Sequence, residues 1–252
     1  MIILIPLSFS ISAQDILPLK RTYFAVPFPV LEIKDRPNYG MEFKGLEIPL
    51  FRAGIQREYN HSFFDWHTQT GGGILFREGM QSLNFQWKLN DVFYGIEMDK
   101  NEKFKIYFGP SLILNYTYQL YPFLHAGHSF WFTNYSIGPK VFAEIPLKKI
   151  KPLLKLSLYN SIAGVTSRPD AERDPYFYSF KFTDLMKFWH HDMRAGTFNL
   201  FNYTCFTTEL YFTRTNRDVS LAYNFNYIGY YREPRMDYLS QGVIVTVYFV
   251  KK

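Results

Sequence analysis

KFKIYFGPSLILNYTY, residues 103–118, decides the fold. Phe104, Ile106, Phe108, Pro110, Leu112, Leu114, Tyr116 and Tyr118 share one parity. Lys103, Lys105, Tyr107, Gly109, Ser111, Asn115 and Thr117 share the other, with Ile113 the one apolar lapse. Successive strand side chains point to opposite faces, so the segment is a strand with one continuous apolar side. Strands of globular proteins usually stop at about 5–6 residues. A tilted strand needs about 9–11 to cross a bilayer, and this one has that length with residues to spare.

Working outward, the same patterning recurs. Residues 218–231 place Val219, Leu221, Tyr223, Phe225 and Tyr227 against Ser220, Ala222, Asn224 and Asn226. Residues 241–250 carry Val243, Val245, Val247 and Phe249 on one side, and 128–146 alternate Trp131, Tyr135, Ile137, Val141 and Ile145 with Asn134, Ser136, Lys140 and Glu144. Residues 151–165 turn Leu154, Leu156, Leu158 and Ile162 outward, and 196–213 do the same with Phe198, Leu200, Phe206, Leu210 and Phe212. In 81–98 the apolar phase shifts from Leu83, Phe85, Trp87 and Leu89 to Val92, Tyr94, Ile96 and Met98. A hairpin turn at Asn90–Asp91 would explain the shift, but Val92–Met98 alone is too short to cross, so a bulge in one long strand is the better reading. A bulge is also expected near Pro49 within 41–58. Residues 63–76 contain Gly71–Gly73, which permit curvature. Residues 21–33 form the weakest strand, because Pro27 and Pro29 remove ladder donors.

These ten segments predict an all-β, antiparallel up-and-down transmembrane barrel of about ten strands, with eight or twelve as alternatives: twelve if 176–182 is a strand, eight without 21–33 and one other. Connections near 60–61, 99–102, 147–150 and 214–217 are short, whereas 119–126, 169–194 and 232–240 are longer. Short periplasmic turns and long outer loops are the habit of such barrels.

Composition agrees. Aromatic residues make up 20% of the 252, a surplus that interfacial girdles explain. Mean hydropathy is −0.17, as alternating strands average out, and no apolar run is long enough for a membrane helix. One cysteine, Cys205, excludes an internal disulfide framework. The net charge of +6 would suit nucleic acid, an anionic membrane surface or an anionic solute, but no basic run resembles a nucleic-acid tail. Lys148, Lys149 and Lys151 read as a solvated turn. Residues 1–13, MIILIPLSFSISA, read as a signal peptide, leaving 14–252 as one barrel domain.

The export region LSFSISAQ, the long aromatic strands and the last strand, 242–250, together resemble small outer-membrane β-barrel proteins of the Bacteroidota type. The last strand is similar to the terminal signal read by the barrel-assembly machinery, although Val250, Lys251 and Lys252 follow the aromatic Phe249. The resemblance implies a Gram-negative outer membrane. Its implied partners are membrane lipid, lipopolysaccharide and, during biogenesis, the assembly machinery, with no nucleic acid and no cofactor.

Three constellations could carry chemistry. His190, His191, Asp192 and Arg194 fall in the longest outer loop, where omptin-like surface proteases place acidic residues and a His, but the surrounding sequence lacks the omptin pattern. Asp65 and His67, at i and i+2, share a face and form a pair expected near the periplasmic side, as a satisfied lumen contact. His128 and Ser129 are adjacent rather than spaced as in lipid A deacylases, so they point apart. No catalytic set and no metal set follows. Arg52, Gln56, Glu58, Gln86, Lys88, Glu97, Lys140, Glu144, Lys155 and Glu209 are expected inward as a polar lumen network. Both signs inside a narrow barrel must pair, because an unpaired buried charge costs several kcal/mol. The expectation is a filled lumen and a binding or envelope-structural role through outer loops. A porin-like small-solute channel, or an omptin-like or lipid-acting hydrolase, are the alternatives.

Overall fold

The computed structural model describes residues 19–35, 41–98, 104–120, 129–147, 152–168, 193–213, 217–232 and 235–251. The signal-peptide segment, His128, His190, His191, Asp192 and the extra strand at 176–182 lie outside them, as does the side chain of Ser129.

The strands are β1 (Leu19–Asp35), β2 (Met41–Glu58), β3 (Ser62–Arg77), β4 (Met80–Glu97), β5 (Lys105–Leu120), β6 (Ser129–Pro146), β7 (Leu153–Asn160), β8 (Ala163–Ser167), β9 (Arg194–Thr197), β10 (Phe201–Phe212), β11 (Asp218–Tyr230) and β12 (Met236–Lys251). β7 and β8 are two parts of one stave, as are β9 and β10, so the ring has ten staves. Each stave pairs antiparallel with its chain neighbours, and β12 closes on β1 from Lys20↔Lys251 to Asp35↔Met236.

The prolines do not make β1 an edge. Pro27 and Pro29 keep register with Ile244 and Gly242 of β12, and the missing donors fall on the other side, where the β1–β2 register shifts between Ala25 and Val30. A bulge between Pro49 and Phe51 answers the phase change in β2. β4 is one strand, with its bulge between Lys88 and Asn90 facing β5. Glu78 and Gly79 link β3 to β4 with φ of 40° and 84°, the double positive φ of a tight hairpin turn.

The predicted strand at 196–213 is broken. Phe198–Leu200 form a turn, with Leu200 N–H donating to the Thr197 carbonyl at 2.9 Å. Leu200, expected outward, is therefore buried against the core, while Phe198 stays exposed. The stave beside it breaks at Ser161–Ile162, where Tyr203 N–H donates to Ser161 Oγ at 2.8 Å and Ser161 N–H returns a bond of 2.9 Å to the Tyr203 carbonyl. The two breaks satisfy each other across the wall.

The outside of the ring is apolar: Phe24, Phe28, Ile96, Leu112, Leu221 and Val245 are all exposed. A closed barrel satisfies its backbone internally, so this surface is solvated by lipid. Towards the outer end, Tyr116 and Trp131 pack with Trp87, Leu89 and Tyr118 as part of an aromatic belt.

The inside departs from a uniformly polar expectation. The predicted polar positions do face in, but a cluster of fourteen residues including Leu31, Phe43, Ile113, Phe132, Tyr203 and Tyr238 fills the outer half. Ile113, the lapse in the opening strand, is a member, so its apolar side chain completes this core. Nearer the periplasmic end Phe63, Phe93, Tyr107 and Phe142 form a second layer, with Phe63 and Phe142 stacked at 4.6 Å and 11°.

Candidate functional site

The site lies inside the barrel, between the two apolar layers. The parity of β3 sends Asp65 and His67 inward together, and the β4 bulge reverses parity so that Asp91 joins them. The His67 imidazole lies between two carboxylates, with Nδ1 3.7 Å from Asp65 Oδ2 and Nε2 3.4 Å from Asp91 Oδ2. Lys140 of β6 reaches both, with Nζ 4.0 Å from Asp65 and 3.6 Å from Asp91. Ser111 Oγ donates to Asp91 Oδ1 at 3.3 Å, and the Tyr23 hydroxyl to Asp65 Oδ1 at 3.5 Å. Arg52 adds a cation beside Tyr23, Asp65 and Asp91.

All of these but Ser111 line a central cavity of about 70 Å³, with Gln56, Lys88 and Glu209 also on its wall. A space of that size holds a few waters but no peptide or acyl substrate. Lys140 occupies the point between the two aspartates where a cation would sit, and among the described residues no group of three or more His, Cys, Asp or Glu is arranged to hold a metal.

Below the cavity runs a second charged group. Lys155 is fully buried, 3.3 Å from Glu144, with its ammonium 3.9 Å from the Tyr211 ring centroid. Arg21 pairs with Glu58 at 3.7 Å, and Glu58 also takes the ammonium of Lys105 at the mouth. Tyr248 donates to Glu209 at 2.7 Å, and Tyr211 to Asp218. Glu97 meets His61 at 3.5 Å on the rim. Above the cavity Gln86 donates to Asn115 Oδ1 at 3.3 Å.

The ten positions expected inward are thus all inside, but in three groups: Arg52, Gln56, Lys88, Lys140 and Glu209 around the cavity, Glu58, Glu97, Glu144 and Lys155 below it, and Gln86 above. Arg194, expected in a loop cluster, begins β9 and is half-buried. The sequence pattern does not single out Asp91, Arg21 or Tyr23. Asp91 was within reach, because the same phase shift that places Glu97 inward places Asp91 inward too. Arg21 and Tyr23 were hidden by the weak pattern around the two prolines.

The sequence matches no protein-family model, and no curated protein matches it. Among solved structures, the outer-membrane protease OmpT of Escherichia coli aligns with a TM-score of 0.59 over 95% of this chain and 99% of that one, at 6% identity. Neisserial surface protein A aligns with a TM-score of 0.36, 12% identity and coverage of 90% and 96%. The Pseudomonas putida toluene transporter TodX aligns at 0.35, 9% identity and coverage of 94% and 90%. The likeness to OmpT is one of fold, and the chain is an outer-membrane β-barrel.

Proposed function

We propose that the protein is a closed outer-membrane barrel with a side-chain-filled lumen, acting through its outer loops as a binding or envelope-structural protein. The observation that carries this reading is the fourteen-residue apolar cluster across the outer half of the lumen, backed by the aromatic layer nearer the periplasm. Barrels near eight strands fill with side chains, and open aqueous channels appear nearer sixteen. The mixed-sign groups between the layers pair with one another and leave no single-sign path. In this reading 169–194, the longest outer connection expected from the sequence, is the segment assigned to partner binding. Recording from the purified protein in planar bilayers is the test: no steady ionic conductance is expected. A stable, sizeable conductance whose ion selectivity changes on charge reversal at Lys140 or Lys155 would instead establish the small-solute channel. The hydrolase reading draws on the likeness to OmpT, a protease, and on His190, His191 and Asp192. Hydrolysis abolished by replacing those three together would revive it.

A further inference from the structure

The apolar outer wall is interrupted by polar side chains in one sector, that of β7, β10, β11 and β12. Asn160 shares the outward parity of the exposed Leu158, and Asn202 and Thr204 share that of the exposed Phe206. Asn160 Nδ2 donates to Asn202 Oδ1 at 3.1 Å and to Thr204 Oγ1 at 2.7 Å, and the Thr204 hydroxyl donates to Asn202 Oδ1 at 3.2 Å. Two strands along, Gln241 stands on the outward parity of Val243 and Val245 and accepts from the Tyr223 hydroxyl at 2.8 Å. Neither group is at the rim. The exposed Ile162 and the β8–β9 pair continue the wall above the first, and β12 continues to Met236 above the second. Below both, Leu154, Thr208, Leu210, Leu221, Tyr223 and Val243 line an apolar groove of about 350 Å³ that opens to the bilayer.

The internal bonds leave the side-chain NH₂ groups of Asn202 and Gln241 as donors and the Asn160 side-chain carbonyl as an acceptor, with no partner among the described residues. Hydrocarbon supplies none, and polar groups at membrane depth are costly unless something meets them. The root of a lipid chain lying in the groove would reach this level. An ester-linked root only accepts hydrogen bonds, which leaves the Asn160 carbonyl unmet. An amide-linked, hydroxylated root both donates and accepts, as the wall requires. In the outer leaflet that chemistry belongs to the lipid A part of lipopolysaccharide. From this complementarity we infer that the wall binds one lipopolysaccharide, with its acyl chains in the groove and their amide and hydroxyl roots against the two polar groups.

The site is on the outside of the wall, so it stands or falls independently of the filled-lumen reading. The full chain in detergent micelles is offered lipid A, phosphatidylglycerol and a ceramide in equal amounts, and native mass spectrometry reads what stays bound. One lipid A per barrel, held under activation that strips the other two, is the expected result. The triple variant Asn160→Leu, Asn202→Leu and Gln241→Leu makes the lipid face apolar, as barrels tolerate, and should reduce that retention at least ten-fold. Ile74→Ala, lipid-facing on β3, should leave it unchanged. Equal retention of the three lipids, or full retention by the triple variant, overturns the inference. So does a lipid-free dimer that the triple variant abolishes, which would assign the face to a second copy. If the triple variant does not assemble, Thr208→Trp decides, because it fills the groove and keeps every hydrogen-bonding group named. Weakened retention of lipid A supports the site, and unchanged retention overturns it.

Discussion

At the residue scale, the arrangement is governed by the cost of charge away from water. Among the described residues Lys155 has one carboxylate partner, Glu144, and two aromatic faces, those of Tyr211 and Tyr248. Breaking such a buried pair by removing one member costs about 3–5 kcal/mol, whereas removing both can be nearly neutral. Lys155→Met should therefore lower unfolding stability by about that amount, and adding Glu144→Gln should restore most of it. Urea titration of the protein in lipid vesicles, followed by tryptophan fluorescence, checks both. Equal stability of the single and double variants would show that the pair is not coupled. The inward position of Lys155 and Glu144 was legible from alternation alone. Their pairing was not, because it depends on the register of β6 with β7, which places Glu144 opposite Lys155. Nothing local in the sequence states a register between strands. His67 shows the same limit: its i+2 partner Asp65 was readable, and its cross-strand partner Asp91 was not.

At the element scale, turns and close approaches decide where each strand begins, bends and stops. Glu78 occupies a left-handed conformation that costs an ordinary side chain about 1–2 kcal/mol and suits Asn or Gly far better. Glu78→Asn, keeping Gly79, should raise stability by a fraction of that, under about 1 kcal/mol. An unchanged unfolding midpoint would show that this turn is not strained. Gly138 allows the wall to close on the break after β7, since a Cβ there would lie 1.9 Å from the Asn160 carbonyl oxygen. Gly138→Val should accordingly impair folding, read as loss of the heat-dependent shift in electrophoretic mobility that folded barrels show. The break itself was invisible in the sequence. Leu158 and Ile162 are exposed on the same parity while Tyr159 and Ser161 are buried on the other, so alternation runs straight through it. The break before β10 turns Leu200 inward although it shares the parity of the outward Phe198 and Phe206, so alternation hides this break too. The turn-forming Thr197 and Asn199 are its one faint signal.

At the scale of the whole molecule, two solvents act on one sheet. The outer face meets hydrocarbon, so a charge placed there at mid-height should be penalised strongly. Leu221 lies opposite Val245 near the middle of β12, and Leu221→Arg should cost about 2–4 kcal/mol. The inner face is enclosed by its own side chains, and sequence patterning reads this face only in part. Alternation separates inside from outside, but it does not say that the inside is itself layered, apolar near the outer end and ionic below. That layering comes from which residues of ten staves meet at one height. The most direct measurement is power saturation of a nitroxide placed at single cysteines along β5, in a Cys205→Ser background and in lipid vesicles. Labels at Phe108 and Leu112 should be open to oxygen dissolved in the bilayer, and labels at Tyr107 and Ser111 closed both to oxygen and to a water-soluble nickel chelate. Ready access of the nickel chelate to Ser111, or no alternation between the two sets, would contradict a lipid-facing barrel with a filled interior.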